Sequence, residues 1–318
     1  MFSRKYKKQS KIKRFLLKFL NIYALDKETL NFVNPNYKNI NKNVYILNDK
    51  SFILSSGYLN LSRKINQLDI FFRYAPNNQL WNSTNRWKRI VPNITKEDLI
   101  LTCLNSLKKS ILKFSEIQNV KFRLHLICDE SSSEFNSKIK NLIDNKKISL
   151  NFIKSKIKGN RGTYLECCDQ AKMANDLIFF VEDDYLFEIE CISELIFTYT
   201  RLSSLFKKDI FLCPSDYPFY YDSSYNTSLF IGKDHRWRTV YETLLTIMFS
   251  KDIFNKYNEK IRLVGEKKNE PFEKPLHSIY RDVPCLSPVS TLAYHISRSV
   301  PAINEDWQQT WKQNFIKS

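Results

Sequence analysis

Glu182, Asp183 and Asp184 lie side by side, directly after the apolar run LIFFV at 177–181. Three adjacent carboxylates repel one another, so either water or something positive must absorb the charge. Carboxylates at the end of a core strand can hold a hard divalent cation, which favours oxygen ligands. Magnesium keeps several of its waters and is usually held by one or two carboxylates together with substrate phosphates. The competing reading is a solvated acidic turn that opens the helix predicted from about 189, well placed against the helix dipole.

A second group lies about twenty residues upstream. In KGNRGTYLECCDQA (158–171), Gly159 and Gly162 flank Asn160 and Arg161, and a helix N-terminus follows. Backbone amides at a helix N-terminus, with Lys158 and Arg161 nearby, suit an anionic ligand. The formal net charge of +17 adds to the attraction for phosphate-bearing substrates, nucleic acid or acidic lipid.

These groups need a scaffold, and the chain from 67 onward reads as alternating strands and helices. Strands are expected at 68–74, 122–128, 148–155 and 177–182. Thr95 opens a helix to about 114, with Leu99, Cys103, Leu107 and Ile111 at helical spacing. Ser131 with Glu134, and Thr163 with Glu166, read as capping boxes of two further helices, the latter running to about Ala174. Another helix is expected over 189–206. This alternation predicts an α/β fold with a mostly parallel, Rossmann-like sheet flanked by helices. In such sheets ligands bind outside the carboxyl ends of the strands. Asp129 and the 182–184 triplet end predicted strands, so they should face one crevice.

The order is strand ending in Asp129, strand, Asn-Arg-Gly loop, helix, apolar strand, acidic triplet. In this order the chain resembles the nucleotide-binding half of family-2-type glycosyltransferases with the GT-A fold, over roughly 67–298. Their Asp-x-Asp motif reads Glu-Asp-Asp here. The resemblance implies a nucleotide-diphosphate-sugar donor, Mn2+ or Mg2+ as cofactor, and inverting, hexosyl-type transfer to a glycan, lipid-linked or other hydroxyl acceptor. It implies that Asp129 contacts base or ribose, that Asp183 lies near the ribose and that Asp184 binds the metal. Glu182 stands beside them on the nucleotide-sugar, and Arg73 and Arg161 are placed to touch it. A late histidine near metal or diphosphate corresponds to His295, in CLSPVSTLAYHIS (285–297); a neutral imidazole suits manganese. The other reading of His295 is a satisfied core side chain.

Inversion requires a base near the acceptor hydroxyl. Asp216, in DIFLCPSDYPFYYD (209–222), ends a predicted strand and is the candidate; Asp234 and Glu242 are rivals, the latter within a strand expected in YETLLTIMF (241–249). Tyr217, Phe219, Tyr220 and Tyr221 could form a stacking platform for a sugar. In KDHRWRTVYE (233–242), His235 and Arg238 are candidates for the diphosphate and Trp237 for the acceptor. His125 and His277 receive no role.

The expected organisation is a basic helix and hairpin extension at 1–66, a catalytic domain at 67–300 and a tail at 301–318. Arg4, Lys5, Lys7, Lys8, Lys11, Lys13, Arg14 and Lys18 precede and interleave an apolar stretch, so residues 1–25 could lie on an acidic membrane surface or pack on the domain. No apolar stretch is long enough for a membrane span. An odd number of cysteines without CxxC spacing argues against a disulfide framework or zinc, and fits a cytoplasmic protein, possible contact with the membrane's inner face included. Two other function classes compete: a basic nucleic-acid-binding protein and a non-catalytic membrane-surface adaptor. The GxxG at 159–162 resembles that of KH modules, but theirs joins two helices, whereas this one follows a strand. No nucleic-acid partner is therefore expected.

Overall fold

The computed structural model describes residues 44–47, 50–53, 57–77, 90–222, 227–269, 271–296, 301–302 and 305–318. The proposed membrane-contacting segment 1–25 lies outside them. The described chain divides into two compact units, one drawn from residues 1–64 with 200–208, the other from 65–199 with 209–318.

In the first unit β1 (Val44–Leu47), β2 (Lys50–Ile53) and β3 (Gly57–Asn60) form an antiparallel sheet in chain order. The expected hairpin is the β1–β2 pair, in which Val44 faces Ile53 and Leu47 faces Lys50.

The second unit is built on a nine-stranded sheet. Its first half follows the expected alternation: β4 (Gln67–Tyr74), helix α1 (Lys96–Ser115), β5 (Lys121–Cys128), α2 (Ser133–Ile143), β6 (Ile148–Lys154), α3 (Gly159–Ala171) and β7 (Leu177–Glu182). After β7 come β8 (Tyr185–Phe187), α4 (Cys191–Phe206), β9 (Phe211–Leu212), a 3-10 turn (Pro218–Tyr221), β10 (Leu229–Ile231), β11 (Arg236–Thr239) and β12 (Ile247–Ser250). The chain closes with α5 (Lys251–Glu266), α6 (Lys274–Tyr280), β13 (Cys285–Val289), β14 (Ala293–His295) and α7 (Trp307–Asn314).

The strand order is β10-β11-β13-β9-β12-β7-β4-β5-β6. β4 pairs in parallel with β5 and β7, β5 with β6, and β9 with β13, while β12 and β11 run the other way. This is the mixed, mostly parallel sheet flanked by helices that the alternation leads one to expect. β4 is buried along its whole length because helices cover both faces of a parallel sheet. Phe180 on β7 packs edge-on against Phe71, Tyr164 and Phe249, joining the sheet to α3. Truncating such a ring to alanine costs about 3–5 kcal/mol.

Three local expectations are corrected. The cap of α2 is Ser132, whose hydroxyl accepts from the Phe135 amide at 3.0 Å, one residue later than Ser131. Helix α3 starts at Gly159, so the Asn-Arg-Gly segment is its first turn and Thr163 sits inside it, donating to the Asn160 carbonyl at 3.0 Å. Residues 241–246 are not strand, and Glu242 lies outside β12. Leu244 and Leu245 adopt φ of 51° and 62°, which breaks the extended chain. Each such residue costs roughly 1–3 kcal/mol and persists only where its surroundings hold it. Here the buried Glu273 carboxylate accepts from the Thr243 amide at 2.8 Å and the Leu245 amide at 2.6 Å.

The tail carries α7, which packs on α1: Asn105 donates to the Asn314 carbonyl at 3.0 Å, and the Ser318 amide to Asp98 at 2.6 Å.

Candidate active site

Parallel pairing brings the carboxyl ends of β5, β4 and β7 to one rim, with Tyr74 in register with Cys128 and Arg73 with Glu182. β9 and β13 run the same way, so Asp216 and Thr291, just beyond them, join that rim. Asp129 and Asp184 therefore open on the same side of the sheet.

Asp129 follows β5 directly and is buried. Its Oδ2 accepts from the Gly159 amide at 2.9 Å, so a strand-end carboxylate caps α3 from a distance in sequence, beside the positive end of the helix dipole. Gly159 has φ of 85°, a left-handed conformation that favours glycine. Gly162 allows the turn to close, since a Cβ there would lie 2.0 Å from the Ile157 carbonyl oxygen. Asp129 Oδ1 is buried with no hydrogen-bond partner among the described residues. Arg161, in the first turn of α3, is exposed.

The triplet is not left to repel itself. Arg73, only 4% exposed, ion-pairs with Glu182 and donates to Asn160 Oδ1 at 2.6 Å and to the Asn160 carbonyl at 3.0 Å. Asp183 accepts from Lys96 Nζ at 2.7 Å and from the Ala75 amide at 3.0 Å. Burial pushes the Glu182 and Asp183 carboxyls up from their ordinary values, with Arg73 and Lys96 respectively opposing it. Burial would lower the Lys96 ammonium, but Asp183 and Asp184 outweigh it and raise it. Arg73 and Asp183, expected on the nucleotide, thus spend these contacts inside the protein. Lys96 drew no attention in the sequence; its place at the start of α1, behind the Thr95 capping box, was the available signal.

Asp184 meets His295 through the two-stranded ribbon of β8 and β14, in which His295 is in register with Tyr185. The Ile296 amide donates to the Asp184 carbonyl at 2.9 Å, and His295 Nε2 lies 3.2 Å from Asp184 Oδ2. Both side chains are largely buried, at 12% and 13% exposure. One ligand atom each from Glu182, Asp184 and His295 lies within 4.8 Å of the others, the one such His/Cys/Asp/Glu group found among the described residues. Two carboxylates and an imidazole suit a divalent ion of manganese type. The three carboxylates of Glu182, Asp183 and Asp184 against Arg73 and Lys96 leave one net negative charge among these five side chains. A bound divalent ion would turn this to one positive charge, the sign that attracts a diphosphate.

Asp216 is buried, and both its oxygens are engaged: Oδ1 pairs with Arg238, and Oδ2 accepts from Tyr221 at 2.6 Å. Burial pushes its carboxyl up, against Tyr221 and Arg238. The Arg238 guanidinium lies over the rings of Tyr221 and Tyr220, at 4.2 and 4.8 Å. The expected aromatic platform is only partly available. Tyr217 is in the core, whereas Tyr221 is half exposed.

The 233–238 segment is organised around Glu194. This buried carboxylate accepts from the amides of Lys233, Asp234 and His235 and from Trp237 Nε1 at 3.0 Å. Burial alone would raise it, but its bonds to His235 and Trp237 hold it down at about 2. The Trp237 ring is fully buried and offers no face to an acceptor, and His235 is held at Glu194. Glu242 pairs with His277 at 2.8 Å, and His125 lies 3.0 Å from the buried Asp69. All seven cysteines are free and buried, and no helix among the described residues is long and apolar enough to cross a membrane.

No family model and no curated protein matches the chain. Among solved structures it resembles S. aureus TarS 1–349 at 12% identity and a TM-score of 0.46, over 72% of this chain and 60% of that one. It also resembles a UDP-glucose pyrophosphorylase complexed with UDP-glucose, at 12% identity and a TM-score of 0.41, over 79% of this chain and 97% of that one. A third is a protein described as a nucleotide-diphospho-sugar transferase, from Desulfovibrio desulfuricans G20, at 12% identity and a TM-score of 0.39, over 70% of this chain and 80% of that one. The chain thus spans 60% of TarS 1–349. Overlaps of this size are loose, and what the rim can do rests on its own residues.

Proposed function

We propose that this protein is a metal-dependent glycosyltransferase that takes its sugar from a nucleotide-diphosphate donor and passes it, with inversion, to a hydroxyl of a glycan or lipid-linked acceptor. The observation that carries this reading is the donor set of Glu182, Asp184 and His295, within 4.8 Å, on the rim where Asp129 and the N-terminus of α3 also lie. In this reading the three hold Mn2+ or Mg2+. When bound, such an ion neutralises the charge that develops on a leaving diphosphate. The chain's own residues do the rest. Asp129 Oδ1, still with an acceptor position to fill, takes a donor of the base or ribose. Exposed Arg161 adds positive charge at the mouth. Arg73 and Lys96 keep Glu182 and Asp183 in place and limit their repulsion. Asp216 remains the candidate base, and to act as one it must first exchange its bond to Tyr221 for one to the acceptor hydroxyl. Peripheral contact of residues 1–25 with an acidic inner membrane face belongs to the same proposal, as does a cytoplasmic location.

The test is thermal stabilisation by UDP or GDP with and without Mn2+. A rise that needs nucleotide and metal together supports the proposal. A rise with RNA alone would favour nucleic-acid binding instead. Equal sedimentation with acidic liposomes by the full chain and a chain lacking residues 1–25 would remove the membrane contact.

A further inference from the structure

His295 poses a problem of orientation. A histidine that binds a metal usually donates its other ring nitrogen to an acceptor, which fixes both tautomer and ring plane. Here Nε2 faces Asp184, and Nδ1 is buried with no partner among the described residues. Something else must hold the ring. The Tyr185 ring lies flat against it, with centroids 4.6 Å apart and planes 5° from parallel. Tyr217 meets it edge-on at 6.4 Å and 74°.

Both tyrosines are fully buried, where a phenylalanine would fill the same space and leave no hydroxyl to satisfy. Their hydroxyls lie 2.5 Å apart, and Tyr217 donates to the Thr243 carbonyl at 2.9 Å. A carbonyl can only accept, so the single proton of Tyr217 is committed to it. Tyr185 must then donate to Tyr217, and the direction of the whole chain is set. Thr243 is in turn fixed by Glu273, which takes its amide at 2.8 Å and its hydroxyl at 3.0 Å, and the Leu245 amide at 2.6 Å. The clamp holds the carbonyl where Leu244 and Leu245 depart from the extended chain.

We infer that Tyr217 and Glu273 are positioning residues of this site, joined in a buried strut, Glu273–Thr243–Tyr217–Tyr185, that fixes the ring of His295. The strut stands in for the missing acceptor at Nδ1. Its functional consequence rests on the reading of Glu182, Asp184 and His295 as a cation site; its effect on the ring does not.

The test uses the full chain and two readouts: Mn2+ affinity by calorimetry, and the ring-nitrogen NMR signals of His295 in the metal-free protein, assigned with His295→Ala. Tyr217→Phe keeps the ring and removes the strut's central hydroxyl. Glu273→Gln sets an amide donor against the amides it now accepts from, and carries the test should Tyr217→Phe not fold. Tyr199→Phe is the control, a buried hydroxyl bonded to Asp209 at 2.7 Å and outside the strut. Tyr217→Phe and Glu273→Gln are expected to weaken Mn2+ about tenfold and to move the His295 signals, while Tyr199→Phe does neither. Unchanged affinity and unchanged His295 signals in Tyr217→Phe would overturn the inference, whatever the loss in Tm. If Mn2+ binding survives Asp184→Asn, the cation reading fails by itself and the His295 signals alone decide on the strut.

Discussion

Replacing Arg73 by methionine would remove the cation that Glu182 faces and leave the carboxylate on the rim. Arg73 is 4% exposed and Glu182 22%, so the pair is largely desolvated. Breaking a buried pair from one side costs about 3–5 kcal/mol. The residual exposure of Glu182 places the loss near 3 kcal/mol, a fall in Tm of roughly 6–10 °C. The penalty must depend on pH. Burial already pushes the Glu182 carboxyl up, and losing Arg73 pushes it further. An acid whose folded pKa is raised is protonated in the native state first, so the variant is least affected at mildly acidic pH and loses more at mildly alkaline pH. Arg73→Met should therefore be compared with Arg73→Met/Glu182→Gln by thermal melts at both pH values. The double variant should recover most of the loss at the higher pH, and Mn2+ should stabilise the single variant. A loss that is independent of pH and not recovered by Glu182→Gln would refute the charge balance described for the rim.

Two further outcomes follow from single residues. Glu194→Gln should flatten the acid limb of the stability profile: a buried carboxyl held down from 4.5 to about 2 contributes roughly 3 kcal/mol above its unfolded pKa, lost as pH falls from about 4.5 towards 2. Acid titration of stability in both proteins checks this, and parallel curves would contradict it. Asp216→Asn should leave donor binding within about twofold and lower transfer by at least about a hundredfold, measured as sugar release against nucleotide titration. Full turnover would remove Asp216 as the base.

Much of this architecture was legible because it is written locally. The runs that became β4, β5 and β7 are mostly apolar, as strands largely covered on both faces are, and Thr95 with Asp98 forms a capping box at the start of α1. The misreadings are long-range in origin. Helix α3 begins earlier than its local capping signals suggest because its cap, Asp129, lies just past the end of β5. Lys96, at the start of α1, neutralises Asp183, just beyond β7, across 87 residues of sequence. Glu242 precedes a run of apolar residues that reads as strand, whereas the buried Glu273, 28 residues beyond Leu245, holds Leu245 in a left-handed turn. Trp237, read as a ligand contact from its basic neighbours, is held in the core by its bond to Glu194. For the acidic triplet the sequence leaves water and a positive partner as alternatives, and in the structure Arg73 and Lys96 face Glu182 and Asp183.

The most direct test is calorimetric titration of Mn2+, in the presence of UDP, into the wild-type chain, Asp184→Asn and His295→Ala. The rim described above predicts one saturable site in the wild type, abolished by Asp184→Asn and weakened about tenfold or more by His295→Ala, with all three proteins folded. Equal binding by the three would show that these side chains hold no cation.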